Sequence, residues 1–302
     1  MFNNVKSRFI SGNKILILLA MASLLFFVAC EDRTDLVAPS APSTGDADFS
    51  RFVTIGNSLT AGYQSGSVYE SSQMYSIGKI IADQVGVPFE QPIISDPGIP
   101  GRLELKDLTP TIVANTEMGE PTNLTYAAPY NNLGVPGALV FDLTDETDLA
   151  SKFAVRGNPY FQIVMRNQAT LGASIVKQAL ALNPTFINLW IGNNDVLGYA
   201  TSGGTTGTDP ATYSLPTDVP TFTYLYNLVA TALTDTSGYR KIVAANIPDV
   251  KNIPFFTTVG PKLAVSLEGM GVPAMVYQKN GETIGTGVAT TASLKNGSVL
   301  LT

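Results

Sequence analysis

The sequence predicts an α/β protein built on a parallel sheet with helices on both faces. Apolar, β-branched runs stop abruptly at small-residue turns. Between them lie stretches with helical spacing of apolar residues, and the alternation continues from Phe52 to Asp249. Strands and helices of these lengths, taken in turn, argue for right-handed crossovers and a buried parallel sheet.

The first run, Phe52-Val53-Thr54-Ile55, breaks at Gly56-Asn57-Ser58-Leu59-Thr60-Ala61-Gly62, leaving Ser58 at the carboxyl end of a strand. Open α/β sheets bind and react with ligands at that end. Met74, Ile77, Ile81 and Val85 then recur at helical spacing before Gly86 and Pro88, which predicts a helix over 70–85. Residues 88–130 are rich in Pro, Gly, Thr and Asn without a period, and read as a long irregular insertion of the kind that often covers a site. Asn131-Asn132-Leu133-Gly134-Val135-Pro136-Gly137 is a second glycine-rich turn. A helix is expected over 167–182, a strand over 185–191, and a polar turn at Gly192-Asn193-Asn194-Asp195. Residues 199–219 form a second loop, 222–233 a helix, and 241–247 a strand ending in Pro248-Asp249. Val276-Tyr277 and Thr283-Ile284 flank Lys279-Asn280-Gly281-Glu282, which predicts a C-terminal β-hairpin turning at Asn280-Gly281. Val299-Leu300-Leu301 reads as a strand-like fragment.

The chain has 302 residues, 45% of them apolar, with 27 Gly and 19 Pro, enough for one large domain carrying sizeable insertions. Lys6, Arg8 and Lys14 precede an uncharged run at 15–29 that ends in Ala29 before Cys30. As a helix that run spans about 22 Å, short of a bilayer core of about 30 Å, so residues 1–29 read as a secretory signal rather than a membrane span. Residues 30–50, acidic and rich in Pro, Ser, Thr and Gly, read as a flexible tether. Removing residues 1–29 leaves 24 acidic against 15 basic residues, a net charge of −9. That sign, with no basic stripe, argues against a nucleic-acid partner. The absence of histidine and of ligand clusters argues against a transition-metal site, and nothing calls for a cofactor.

Phe27-Val28-Ala29-Cys30 resembles the lipobox of bacterial lipoproteins, with Phe27 where Leu is usual. The resemblance implies lipidation of Cys30, the only cysteine, and attachment to the cell envelope, at the bacterial outer membrane. The three turns carrying Ser58, Gly137 and Asn194 together resemble the first three blocks of the SGNH, or GDSL, hydrolases over residues 52–249. That family has a flavodoxin-like three-layer α/β/α sandwich, so the expectation becomes that fold with long loop insertions and a C-terminal β-hairpin. Carried over by position, Ser58 matches the nucleophile, whose backbone N–H also binds the oxyanion. Gly137 matches the glycine that donates its backbone N–H, and Asn194 the asparagine that donates its side-chain amide. Attack on an ester carbonyl builds negative charge on oxygen, and one preorganised donor is worth about 2.7–4 kcal/mol. Asn57 departs from the family's aspartate, and Pro136 is unusual beside Gly137. Asp249 reads as a turn cap rather than a catalytic acid.

The family draws its base from a C-terminal Asp-x-x-His block, and this chain contains no histidine. General-base help is worth typically about 10²–10⁴ in rate, so the chain as it stands is expected to be inactive or nearly so. The expectation favours an SGNH domain at 51–302 that is C-terminally incomplete; the rival is a non-catalytic, surface-anchored ligand-binding lipoprotein on the same fold. The activity implied is hydrolysis of a small-molecule, lipid or carbohydrate ester through an acyl-serine. Phe255 and Phe256 with Tyr224 and Tyr226 could offer an apolar wall for an acyl chain, although aromatics at such positions more often pack in the core. The insertions at 88–130 and 199–219 are expected to overhang the site.

Overall fold

The computed structural model describes residues 43–106, 112–114, 117–202, 216–234, 238–278 and 286–300. The expected signal segment, Cys30, the expected tether as far as residue 42, residues 279–285 of the expected hairpin and Leu301 lie outside the described residues. The chain divides into units Met1–Ser43 and Thr44–Thr302, and the fold is that of the second.

Its strands are β1 (Phe52–Gly56), β2 (Leu103–Leu105), β3 (Ile112–Ala114), β4 (Asn132–Gly134), β5 (Phe186–Trp190), β6 (Lys241–Ala244), β7 (Ala274–Gln278) and β8 (Thr286–Thr290). Four of them form the main sheet in the order β4-β1-β5-β6, every pair parallel. Numbered by appearance these are 2-1-3-4, the order of a flavodoxin-like doubly wound sheet, whose switch point lies beside the first strand. β1 is the centre: all five of its residues are buried.

Two layers of helix cover β1. On one face α3 (Ile77–Val85) comes so close at Gly78 that an added Cβ would lie 2.8 Å from Thr54 Cγ2 and 2.3 Å from the Phe89 ring. On the other, Val53 and Ile55 belong to the main apolar cluster with Ile175, Val176 and Ala179 of α7 (Ile175–Ala181). Leu225, Val229 and Leu233 of α9 (Val219–Leu233) join the same cluster. Phe49 stacks on Phe186 with ring centroids 4.1 Å apart, so the folded part reaches back into the expected tether.

Several expected elements are interrupted or displaced. The helix over 70–85 is two helices, α2 (Glu70–Gln73) and α3, because Gln73 turns into the core to donate to the Pro92 carbonyl and accept from Ile94 N–H. Ser76 then restarts the helix by accepting from Lys79 N–H. The helix over 167–182 breaks likewise into α6 (Gln168–Leu171) and α7, at Gly172, with Ser174 capping the second piece. The glycine-rich segment at 131–137 contains β4 itself, since Asn132 and Leu133 pair with Thr54 and Ile55. The insertion at 88–130 carries a small antiparallel hairpin, β2 with β3. Helices α4 (Leu149–Arg156), α5 (Tyr160–Val164) and α10 (Pro254–Gly269) are not anticipated by the apolar pattern. In α10 the period is blurred by Pro261 and by exposed Phe255, Val259 and Val265.

The C-terminal hairpin forms as β7 paired antiparallel with β8, and the expected strand at Thr283-Ile284 lies outside the described residues. Tyr277 pairs with Gly287, where any side chain would strike the tyrosine ring, an added Cβ lying 2.3 Å from Cζ. The hairpin, α10 and α11 (Thr291–Lys295) enclose a separate small core of Ala264, Leu267, Ala289 and Leu294. Val299 packs against that core as part of a bend, not a strand. Among the described residues no helix is long and apolar enough to cross a membrane.

Candidate active site

β1 ends at Gly56, and Asn57 turns the chain into α1 (Ser58–Ala61) by accepting from Leu59 N–H at 3.1 Å. The turn is tight because two backbones meet there. A Cβ on Gly56 would sit 2.4 Å from the Trp190 carbonyl oxygen, and one on Gly134 2.5 Å from Ala61 N. Ser58, half-buried, is thereby held at the carboxyl edge of the sheet between β4 and β5.

The segment after β4 is pinned at nearly every backbone group. Val135 N–H donates to the Gly56 carbonyl and Ala138 N–H to the Val135 carbonyl. Leu139 N–H donates to Asp142 at 2.7 Å and Val140 N–H to Asp195 at 3.0 Å. The carbonyls of Pro136, Gly137 and Ala138 accept from Asn158, Arg156 and Asn194 respectively. Proline has no N–H, so the one amide of the segment 135–140 without an acceptor among the described residues is that of Gly137. Gly137 has φ +81°, in the left-handed region glycine tolerates best. The Ser58 amide also lacks an acceptor among the described residues.

Two cavities meet at Ser58. A cavity of about 400 Å³ is lined by Ser58, Tyr63, Gly137, Arg156, Asn158 and Tyr160. A smaller one, about 140 Å³, lies toward Asn194 and is walled largely by Leu197, Ile247, Pro248, Val250 and Ile253. Asn194 begins α8 (Asn194–Thr201) and spends one amide hydrogen on the Ala138 carbonyl at 2.9 Å, keeping a second. Thus Ser58 shares one cavity with Gly137 and the other with Asn194, and Asn194 is tied to the residue after Gly137.

Most of the groups that hold this arrangement, Asp142, Arg156 and Asn158, are absent from the sequence expectation. Asp142, buried, receives Leu139 N–H and the Arg156 guanidinium, the latter at 2.6 Å. Asp195, also buried, receives Val140 N–H and the Thr217 hydroxyl. Burial pushes both carboxyl pKa values up; for Asp142 the Arg156 charge opposes this, and for Asp195 the Thr217 hydrogen bond does. Asp195 is legible as half of the Asn194-Asp195 pair, but Asp142 and Asn158 carry no local signal. Asp249 caps a short turn by accepting from Lys251 N–H, as expected of it.

Other expectations are corrected. The four aromatic candidates line neither cavity: Tyr224 and Phe255 are exposed, while Phe256 is buried and Tyr226 packs on the main core, in keeping with the core-packing reading for those two. Neither insertion lines either cavity among the described residues; 88–130 reaches the site indirectly, where the Tyr160 hydroxyl donates to the Ile99 carbonyl. The ionisable side chains lining the two cavities are Tyr63, Arg156 and Tyr160. Burial raises both tyrosine pKa values, which leaves the phenols protonated at neutral pH. Among the described residues no group of three or more His, Cys, Asp or Glu side chains is placed to hold a metal ion.

A 2-1-3-4 parallel sheet with a serine turn at its switch point is the frame of a three-layer α/β protein of the kind that hosts hydrolytic sites. The sequence pattern of the GDSL-like lipase/acylhydrolase family matches residues 52–292, and the chain belongs to that family. It therefore carries the domain of an esterase/lipase-type hydrolase. No curated protein and no solved structure matches the chain.

Proposed function

We propose that this protein is a carboxylic-ester hydrolase in which Ser58 is acylated, with the Ser58 and Gly137 amides and the Asn194 carboxamide binding the oxyanion. The observation that supports this is the Gly137 amide, left without an acceptor among the described residues in a segment where every other backbone donor is used. In the acylation step Ser58 Oγ bonds to the ester carbonyl carbon, the carbonyl π pair moves to oxygen, and the three donors meet the new charge. Collapse expels the alcohol, which takes up a proton, and water then releases the acid.

The serine proton needs a base, and the 302 residues hold no histidine. Free imidazole in solution is the proper test. Ser58-dependent cleavage of p-nitrophenyl acetate should rise with imidazole concentration, after subtraction of the same reaction with Ser58→Ala. A serine-reactive fluorophosphonate should label Ser58 under the same conditions. Identical rates for the two proteins together with no labelling would overturn the hydrolase reading. They would leave the second reading, a ligand-binding lipoprotein on this fold, which the missing histidine favours.

Export with a lipid anchor on Cys30 belongs to the same proposal, supported by the lipobox-like residues 27–30. Cys30→Ala should move the protein from the membrane to the soluble fraction; unchanged fractionation would remove the anchor.

A further inference from the structure

The two cavities at Ser58 differ in kind, and an ester has two unlike halves to place in them. The larger carries Tyr63, Arg156, Asn158 and Tyr160 at an open mouth. The smaller is walled by Leu59, Leu197, Ile247, Pro248, Val250 and Ile253. Apart from Ser58 and Asn194 at the reacting centre, its polar neighbours offer little to an occupant, because Asn57 Nδ2 and Asn193 Oδ1, unpaired among the described residues, are themselves covered. An apolar chain is favoured there and a polar alcohol is not, since each buried methylene is worth about 0.8 kcal/mol while an unpaired buried hydroxyl is costly.

Size sets the limit. The cavity holds about 140 Å³. An apolar cavity of about 150 Å³ accommodates one benzene molecule, six carbons. Its lining includes Ile247, which packs against Gly192 so closely that a Cβ there would lie 2.6 Å from Ile247 Cδ1.

We infer that the smaller cavity is an acyl pocket that accepts straight chains of up to about six carbons and rejects longer ones, with Ile247 and Ile253 setting the ceiling. The inference rests on Ser58 being the acylated residue. The substrate class is then a short-chain acyl ester whose alcohol half lies in the larger, polar cavity, not a long-chain lipid.

The test needs no turnover. Straight-chain carboxylates from acetate to decanoate are titrated into the full chain, and the amide shifts of Ser58 and Gly137 are followed by NMR. Affinity should rise about fourfold per methylene up to about six carbons and then stop rising. Ile247→Ala, or Ile253→Ala if the first fails to fold, should move the ceiling up by about two to three carbons, the space of the side-chain atoms removed. Affinity that climbs steadily to decanoate, or a ceiling unmoved by both variants, would overturn the acyl-pocket assignment while leaving the oxyanion site in place. Carboxylates that leave the Ser58 and Gly137 amides unshifted at every length would overturn the site as well.

Discussion

The Asn194 side chain donates to the Ala138 carbonyl at 2.9 Å, joining the turn after β5 to the segment after β4. One carboxamide thus joins two parts of the chain 56 residues apart, and its second hydrogen has no acceptor among the described residues. Asn194→Ala should lower the imidazole-supported, Ser58-dependent cleavage of p-nitrophenyl acetate about 10²–10³-fold, the usual loss for one oxyanion donor. Asn194→Asp should fall further, because a carboxylate faces the Ala138 carbonyl without a proton to give. Wild-type rates in both variants would take Asn194 out of the site.

Much of this architecture is legible in residue order. The β-branched run at 52–55 ends in glycine, and so does β4 at Gly134, because at each strand end another backbone approaches too closely for a Cβ. What the order does not reveal is the scaffold beneath the Gly137 segment. Asp142, Arg156 and Asn158 are ordinary polar residues in a stretch without periodicity, and they acquire meaning when folding brings them under residues 136–139. The broken helices have the same cause. Gln73 and Ser76 lie in a helical pattern, but long-range partners at Pro92, Ile94 and Gln91 outbid one turn of helix.

Gly134→Ala tests the close approach. The added methyl would sit 2.5 Å from Ala61 N and 2.8 Å from the Thr60 carbonyl carbon, both main-chain atoms that move only with α1. Overpacking of this kind costs about 1–3 kcal/mol or more. The urea midpoint should fall accordingly, and labelling of Ser58 should slow because the serine is displaced with its helix. An unchanged midpoint would show that α1 shifts freely.

Arg156 and Asp142 form an ion pair in which Asp142 is fully covered and the Arg156 side chain nearly so. Arg156→Met removes the guanidinium, which lies 5.6 Å from the Phe161 ring centroid, and leaves the carboxylate without that cation. Breaking a buried pair from one side typically costs about 3–5 kcal/mol, whereas replacing both members is often close to neutral. Urea unfolding should therefore show a large loss for Arg156→Met. Asp142→Asn combined with Arg156→Met should recover part of it, and a double variant as unstable as the single one would contradict the pairing argument.

Asp195 makes a pH-dependent contribution with a definite sign. Burial raises its pKa first, with the Asp142 charge acting in the same direction. An aspartate unfolds to an ordinary value of about 3.9, so the folded state holds this proton more tightly than the unfolded chain. The stability it contributes is complete below about pH 4 and is lost as pH rises through the raised folded value. Asp48, Asp96, Asp148 and Asp218, whose pKa values are lowered, act oppositely: their contributions are lost as pH falls through their folded values. Asp195→Asn keeps an oxygen for Val140 N–H and turns its amide toward the Thr217 hydroxyl, so the contacts survive without the titration. Melting temperatures measured from pH 4 to pH 8 should decline with rising pH more gently in Asp195→Asn than in the wild type. Asp142 retains a share of the decline, its carboxyl being raised by the same burial. Parallel curves for the two proteins would mean that Asp195 titrates alike in the folded and unfolded chains.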